Sequence, residues 1–140
     1  MKIITLKGFK NSGKTTTIRN IYQKLTVMKD SKILEFTPAG FDKTDFDAVV
    51  SVRGTIVVIR SYGDGISYVR TGFQYAKSKK AEYFINAWNS DLDKDYDIKI
   101  ELPETTKIYD SPVQICEPLR TQWMNFSNHI AFEVLGIPKK

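Results

Sequence analysis

Two kinds of hydrophobic pattern alternate along the chain. Short runs of β-branched and other apolar residues predict strands, and apolar residues that recur every three or four positions predict helices with one buried face. The predicted strands cover residues 3–6, 33–36, 48–52, 55–60, 83–88, 98–102, 107–109 and 113–116. Predicted helices cover residues 14–28, a segment that starts at residue 66 and ends near residue 80, and a closing segment between Pro118 and Gly136.

The order of these elements predicts the fold class. Strands that alternate with helices indicate a three-layer α/β domain with a mainly parallel sheet. Arg53-Gly54 separates two β-branched runs, which predicts one antiparallel hairpin in that sheet. Pro38 and Gly40 are expected to end the second strand. Because no repeat, low-complexity segment or linker interrupts the pattern, we expect residues 1–140 to form one domain.

The loop between the first strand and the first helix carries the most specific signal. It reads G-F-K-N-S-G-K-T from Gly8 to Thr15 and fits the phosphate-binding pattern G-x-x-x-x-G-K-[ST] at every defined position. Glycines let backbone N–H groups turn toward an anion, and a helix N-terminus adds unpaired donors. Lys14 would then reach the β- and γ-phosphates, the Thr15 hydroxyl would ligate Mg²⁺, and Thr16 would contact the α-phosphate. The predicted phosphate site consists of Gly8, Asn11, Ser12, Gly13, Lys14, Thr15 and Thr16.

On this motif, about the first 30 residues resemble the P-loop NTPase superfamily, in which the loop is the Walker A sequence. The resemblance implies that Gly8, Gly13, Lys14 and Thr15 bind nucleotide phosphate and magnesium. The run N-S-G-K-T-T is also similar to small kinase-like P-loop proteins and to the nucleotide-binding adaptor of molybdopterin guanine dinucleotide synthesis. An ATP or GTP ligand with Mg²⁺ is the expected cofactor set.

The carboxylate that completes such a magnesium site is less obvious, because no apolar run ends directly in Asp or Glu. Asp64 is the best candidate, since it follows the strand over residues 55–60 and lies between two glycines. We expect Asp64 to bind Mg²⁺, directly or through water, or to orient the attacking group. An equally good interpretation is that Asp64 caps the second helix.

Three aspartates, Asp42, Asp45 and Asp47, follow the second strand, where a kinase-like protein would hold its second substrate. We favour solvated side chains there over an acid or a base. Glu35 lies inside a predicted strand, which indicates either an edge of the sheet or a site.

Arginines bear on the reaction, because they neutralise a phosphoryl group in transfer. Of the five in the chain, Arg70 and Arg60 are the transition-state candidates, with surface or structural roles as the alternative. The catalytic candidates are therefore Lys14, Asp64 and Arg70.

Composition adds a broad constraint. The net charge of +5 and the pI near 9.2 favour anionic partners, with phosphates first and nucleic acid second. No nucleic-acid motif accompanies this charge, although Trp88, Tyr62, Tyr68 and the lysines would suit a binding surface. Cys116 has no second cysteine to pair with, and His129 has no neighbouring zinc ligands.

No signal sequence is evident, and no apolar run approaches the roughly 20 residues that span a bilayer. We therefore expect a cytoplasmic protein without membrane contact. Its expected function is Mg²⁺-dependent binding of a nucleoside triphosphate with slow hydrolysis. ATP is favoured over GTP because N-A-W-N at residues 86–89 lacks the guanine-reading pattern N-K-x-D.

Two other functions stay open. One is a kinase that acts on a nucleotide or another small molecule held near residues 42–47 and Arg70. The other is a nucleotide-sensing adaptor without catalysis, whose state is read by a protein or nucleic-acid partner.

Overall fold

The computed structural model describes residues 1–10, 12–103 and 105–110. Several predicted features lie outside these described residues: Asn11 of the phosphate loop, the strand over residues 113–116, the closing helix, Cys116 and His129.

Within the described part of the chain, six strands form one mixed sheet. They are β1 (Lys2–Gly8), β2 (Ser31–Ala39), β3 (Asp45–Val52), β4 (Thr55–Arg60), β5 (Tyr83–Asn89) and β6 (Lys107–Asp110). Their order across the sheet is β2-β3-β4-β5-β1-β6. The last four strands in this order pair in parallel, whereas β3 is antiparallel to both β2 and β4. The prediction of an α/β fold whose mainly parallel sheet includes an antiparallel hairpin is therefore confirmed.

Helices α1 (Lys14–Thr26) and α2 (Ile66–Ser78) cover opposite faces of this sheet. Ile18, Ile21 and Leu25 of α1 pack into a core with alternate residues of the strands. Val69 and Ala76 of α2 pack into a second core with the strand residues between them. Each fully buried Ile, Leu or Val side chain stabilises the fold by about 1.5–3 kcal/mol, so both helices are held firmly against the sheet.

Two local predictions are wrong. Residues 98–102 were expected to form a strand, but they contain a single helical turn, α3 (Ile98–Glu101). The Asp97 side chain accepts a hydrogen bond from the Lys99 N–H and caps this turn. Ile98 and Leu102, four residues apart, are buried, which is helical spacing.

Pro38 does not end β2, which continues to Ala39. Among the described strands β2 lies at the edge of the sheet, so one of its sides pairs with none of them, and a proline is tolerated there. Gly40, with a φ of 84°, follows the strand directly.

The direction of β3 matters most for the site. Arg53 and Gly54 connect β3 to β4 with φ values of 54° and 86°, as a two-residue hairpin turn requires. The turn reverses the chain, so β3 begins at the end of the sheet where the parallel strands β4, β5 and β1 finish. Asp45, the first residue of β3, therefore lies at the same end of the sheet as Gly8, the last residue of β1.

Candidate functional site

The predicted phosphate loop connects α1 to β1, which lies between β5 and β6 in the sheet. Parallel pairing holds β1 against β5 along its whole length, up to Gly8 opposite Asn89. The N–H of Ser12 donates to the carbonyl of Phe9 at 3.2 Å, which turns the loop. Gly13 then adopts a left-handed conformation, with φ 88° and ψ 14°, immediately before α1. Since glycine adopts this conformation without strain and has no side chain to cap the helix, the first N–H groups of α1 stay accessible to a ligand.

Lys14 is 7% exposed, and its ammonium group contacts the backbone at the start of the loop. Its Nζ donates to the carbonyl oxygens of Gly8 at 2.9 Å and Phe9 at 2.7 Å. Burial lowers the pKa of Lys14, and the nearby carboxylates of Asp64 and Asp45 oppose that shift. The lysine is thus a desolvated cation near three carboxylates, those of Asp64, Asp45 and Asp91, and a charge interacts strongly with it in this setting.

A cleft of about 310 Å³ opens at the N-terminus of α1 and collects most of the predicted site residues. This volume lies in the range of small-molecule sites, which begins at about 300 Å³. Three segments form its walls. They contribute Lys10, Gly13, Lys14, Thr15 and Thr16 from the phosphate loop and α1, Asp42, Thr44 and Asp45 from the start of β3, and Ser61, Tyr62, Gly63 and Asp64 from the segment after β4.

Hydroxyl and carboxylate oxygens meet at Asp45 in this cleft. The Thr15 hydroxyl donates to Oδ1 of Asp45 at 3.1 Å. The Ser61 hydroxyl donates to the same oxygen at 2.9 Å. A proton donated to Asp45 leaves the lone pairs of the Thr15 oxygen for another partner, such as a cation.

Asp64 reaches the cleft on a loop that is pressed against β5. A Cβ added at Gly63 would lie 1.9 Å from the carbonyl oxygen of Ala87. The N–H of Asn89 also donates to the carbonyl of Gly63 at 3.1 Å. The N-cap residue of α2 is Gly65, and no side chain caps that helix, so the alternative that Asp64 is the cap is wrong.

The two candidate arginines make ion pairs elsewhere. Arg60 is 8% exposed and binds both carboxylate oxygens of Asp47, at 2.6 and 3.2 Å. Arg70 binds both carboxylate oxygens of Glu101, at 3.0 and 2.6 Å. Neither arginine lines the cleft among the residues that the structure describes, and the transition-state role of Arg70 remains a prediction without structural support.

Aromatic residues also separate into different environments. Trp88 is completely buried, with its indole N–H donating to Asp93 at 3.0 Å, so it offers no surface to a partner. Tyr62 lines the cleft, and its hydroxyl donates a hydrogen bond to Oδ2 of Asp47 at 2.7 Å. Burial and this carboxylate raise the pKa of Tyr62, which keeps the phenol protonated. Tyr68 is half exposed and packs edge-on against Tyr62.

The expectation of solvated side chains holds for Asp42 only. Asp42 is exposed and accepts hydrogen bonds from its neighbour Thr44. Asp45 accepts hydrogen bonds from Thr15 and Ser61, and Asp47 pairs with the buried Arg60. The predicted hairpin already indicated that Asp45 lies near the site, because a reversed β3 must begin at the end of the sheet where β1 finishes. Glu35 occupies the edge strand β2, where it pairs with Lys79 at 2.5 Å.

No helix in the described part of the chain is long and apolar enough to cross a membrane. Comparison with known proteins gives no matching family model, curated protein or solved structure, so the geometry of the cleft itself is the basis for a functional assignment.

Proposed function

We propose that this chain is a three-layer P-loop NTPase-type domain that binds a Mg²⁺–nucleoside triphosphate, with ATP favoured, and hydrolyses it slowly. The observation that carries the proposal is the convergence of Lys14, Thr15, Asp45 and Asp64 on one cleft at the N-terminus of α1.

The proposed phosphate binding rests on hydrogen-bond donors that already point into the loop. Two N–H bonds of the Lys14 ammonium group brace the loop carbonyls, and an ammonium group has three. The third is available to a phosphate oxygen. The positive end of the α1 dipole and the backbone N–H groups after Gly13 add to the attraction for an anion.

The donor set fits Mg²⁺. Among the described residues, no group of three or more His, Cys, Asp or Glu side chains is arranged to hold a metal unaided. Mg²⁺ does not need one, because it is usually bound through one or two carboxylates together with waters and substrate phosphates. Thr15, Asp45 and Asp64 supply hard oxygen ligands beside Lys14. When bound, the cation would neutralise charge on the phosphates.

Water suits this cleft better as the acceptor than a phosphorylated molecule does. Its described walls carry two cations, Lys10 and Lys14, against three carboxylates, Asp42, Asp45 and Asp64, and no arginine. An anionic acceptor would meet repulsion beyond the nucleotide, whereas we expect Asp64 to orient a water molecule. A site without an arginine near the transferring group is expected to react slowly.

The test is calorimetric titration of the protein with ATP and with GTP in the presence of Mg²⁺. Replacement Lys14→Ala removes a charged hydrogen bond to phosphate, worth about 1.5–3 kcal/mol, so we expect affinity to fall by roughly 10- to 100-fold. Lys24→Ala, in the last turn of the same helix, is the matched control and should bind like the wild type.

Equal affinity in the Lys14→Ala and Lys24→Ala proteins would refute the phosphate site. Product analysis then identifies the reaction. Free phosphate released in water supports hydrolysis, and a labelled phosphoryl group found on an added nucleoside monophosphate would identify a kinase instead.

A further inference from the structure

Ser61 is a buried hydroxyl that contacts both of the residues next to the proposed cation. It follows β4 directly and is 1% exposed. Its Oγ lies 2.9 Å from Oδ1 of Asp45, and its carbonyl oxygen lies 3.4 Å from the Thr15 hydroxyl.

The direction of the hydrogen bonds at Ser61 is determined by its neighbours. The backbone N–H of Phe46 donates to Ser61 Oγ at 2.9 Å, so the hydroxyl oxygen acts as an acceptor there. The hydroxyl proton is therefore directed to the carboxylate of Asp45, since an ionised carboxylate accepts hydrogen bonds and donates none. A backbone bond from the Ser61 N–H to the Phe46 carbonyl, at 3.1 Å, holds the serine against β3 independently of its side chain.

The result is a continuous series of contacts from the β3 backbone to α1. Phe46 fixes the Ser61 hydroxyl, Ser61 fixes one oxygen of Asp45, and that oxygen accepts from Thr15. With Oδ1 held by two hydroxyl groups, the carboxylate has one orientation, and its Oδ2 is the oxygen left for other partners. Groups that orient metal ligands in this way commonly affect metal affinity as much as ligands do.

We propose that Ser61 is a positioning residue that sets the Mg²⁺ affinity of the nucleotide site by orienting Asp45 and, through Asp45, the hydroxyl of Thr15. This inference rests on the function proposed above, and it concerns the cation rather than the phosphates, since the hydrogen bonds of Ser61 in the described chain go to Phe46, Asp45 and Thr15 and those of the Lys14 ammonium group go to Gly8 and Phe9.

The experiment compares Ser61→Ala and Ser61→Cys with the wild type. ATP binding is titrated at a series of Mg²⁺ concentrations and also in excess EDTA, and melting temperature is recorded for each protein. In both variants we expect the Mg²⁺ concentration for half-maximal enhancement of ATP binding to rise roughly 10- to 100-fold. Binding in EDTA should stay within about twofold of the wild type, because the phosphate contacts remain.

Two features make the comparison selective. Cysteine is close to serine in size but its thiol is a weak donor, so Ser61→Cys keeps the packing while it removes the strong bond to Asp45. Ser31→Ala is the matched control, since it removes another serine hydroxyl from the same sheet, one without a hydrogen-bond partner among the described residues. That protein should show wild-type Mg²⁺ dependence.

Each outcome decides the point. If the Ser61 variants fold and keep the wild-type Mg²⁺ dependence, the inference is overturned. If both variants fail to fold, Ser61 is structural only and the inference is also overturned. A wild-type protein that shows no Mg²⁺-dependent ATP binding would instead refute the proposed function, which separates the two failures.

Discussion

Replacement of Gly63 by alanine tests whether the position of Asp64 depends on the close approach between its loop and β5. An alanine Cβ at residue 63 would lie 1.9 Å from the carbonyl oxygen and 2.7 Å from the carbonyl carbon of Ala87. Both are backbone atoms in the middle of the sheet, so the loop has to yield, by about 1 Å or more. Such overpacking costs about 1–3 kcal/mol of unfolding free energy. Movement would also weaken the 3.1 Å bond from the Asn89 N–H to the Gly63 carbonyl, worth about 1 kcal/mol.

The same displacement carries Asp64 away from the proposed metal and water positions. A misplacement of about 1 Å can reduce turnover by about 100-fold, so we expect Gly63→Ala to lose Mg²⁺-dependent phosphate release as well as stability. Urea unfolding and a phosphate-release assay measure the two effects. Gly65→Ala is the control, because its added Cβ would meet only Tyr68 side-chain atoms at 3.5 Å and beyond. Wild-type stability in Gly63→Ala would refute the steric reasoning.

Two further predictions concern ion pairs, one between β4 and β3 and one between α2 and α3. Arg60→Ala removes one partner of a pair whose side chains are only 9% and 13% exposed, which should lower the unfolding free energy in urea by about 3–5 kcal/mol; a loss below about 1 kcal/mol would contradict a structural role for Arg60. Arg70 lowers the pKa of Glu101 from its ordinary value of 4.5, so this pair contributes stability above that value and loses it as the pH falls through the lowered pKa. Glu101→Gln should therefore be less stable than the wild type at neutral pH and equally stable in strong acid, and a stability difference that does not change with pH would contradict this assignment.

The parts of the fold that could be predicted depend on contacts within a short stretch of chain. The strand, loop and helix around Gly13 follow from the glycines and the apolar spacing, and the hairpin follows from Arg53-Gly54 between two β-branched runs. The prediction of a strand at residues 98–102 was wrong because a segment of four or five residues fits strand and helix patterns equally well. There the Asp97 cap and the burial of Ile98 decided the outcome.

Partners that are distant in sequence could not be predicted in the same way. Arg70 and Glu101 are 31 residues apart, and the fold of the intervening chain brings them together. Asp45 and Thr15 are 30 residues apart, and their contact depends on the reversed direction of β3. Charge and spacing along the chain do not distinguish a solvated aspartate from one that meets a helix N-terminus.

The two-residue turn between β3 and β4 has a consequence at the opposite end of the sheet. Pairing that starts from Val52 opposite Thr55 places Asp47 opposite Arg60, and so determines that Asp45 rather than Phe46 faces Thr15. Neighbouring residues of a strand point to opposite faces, so one residue inserted at this turn would exchange the carboxylate for the aromatic ring. A turn about 25 Å from the cleft thus sets the chemistry of the cleft.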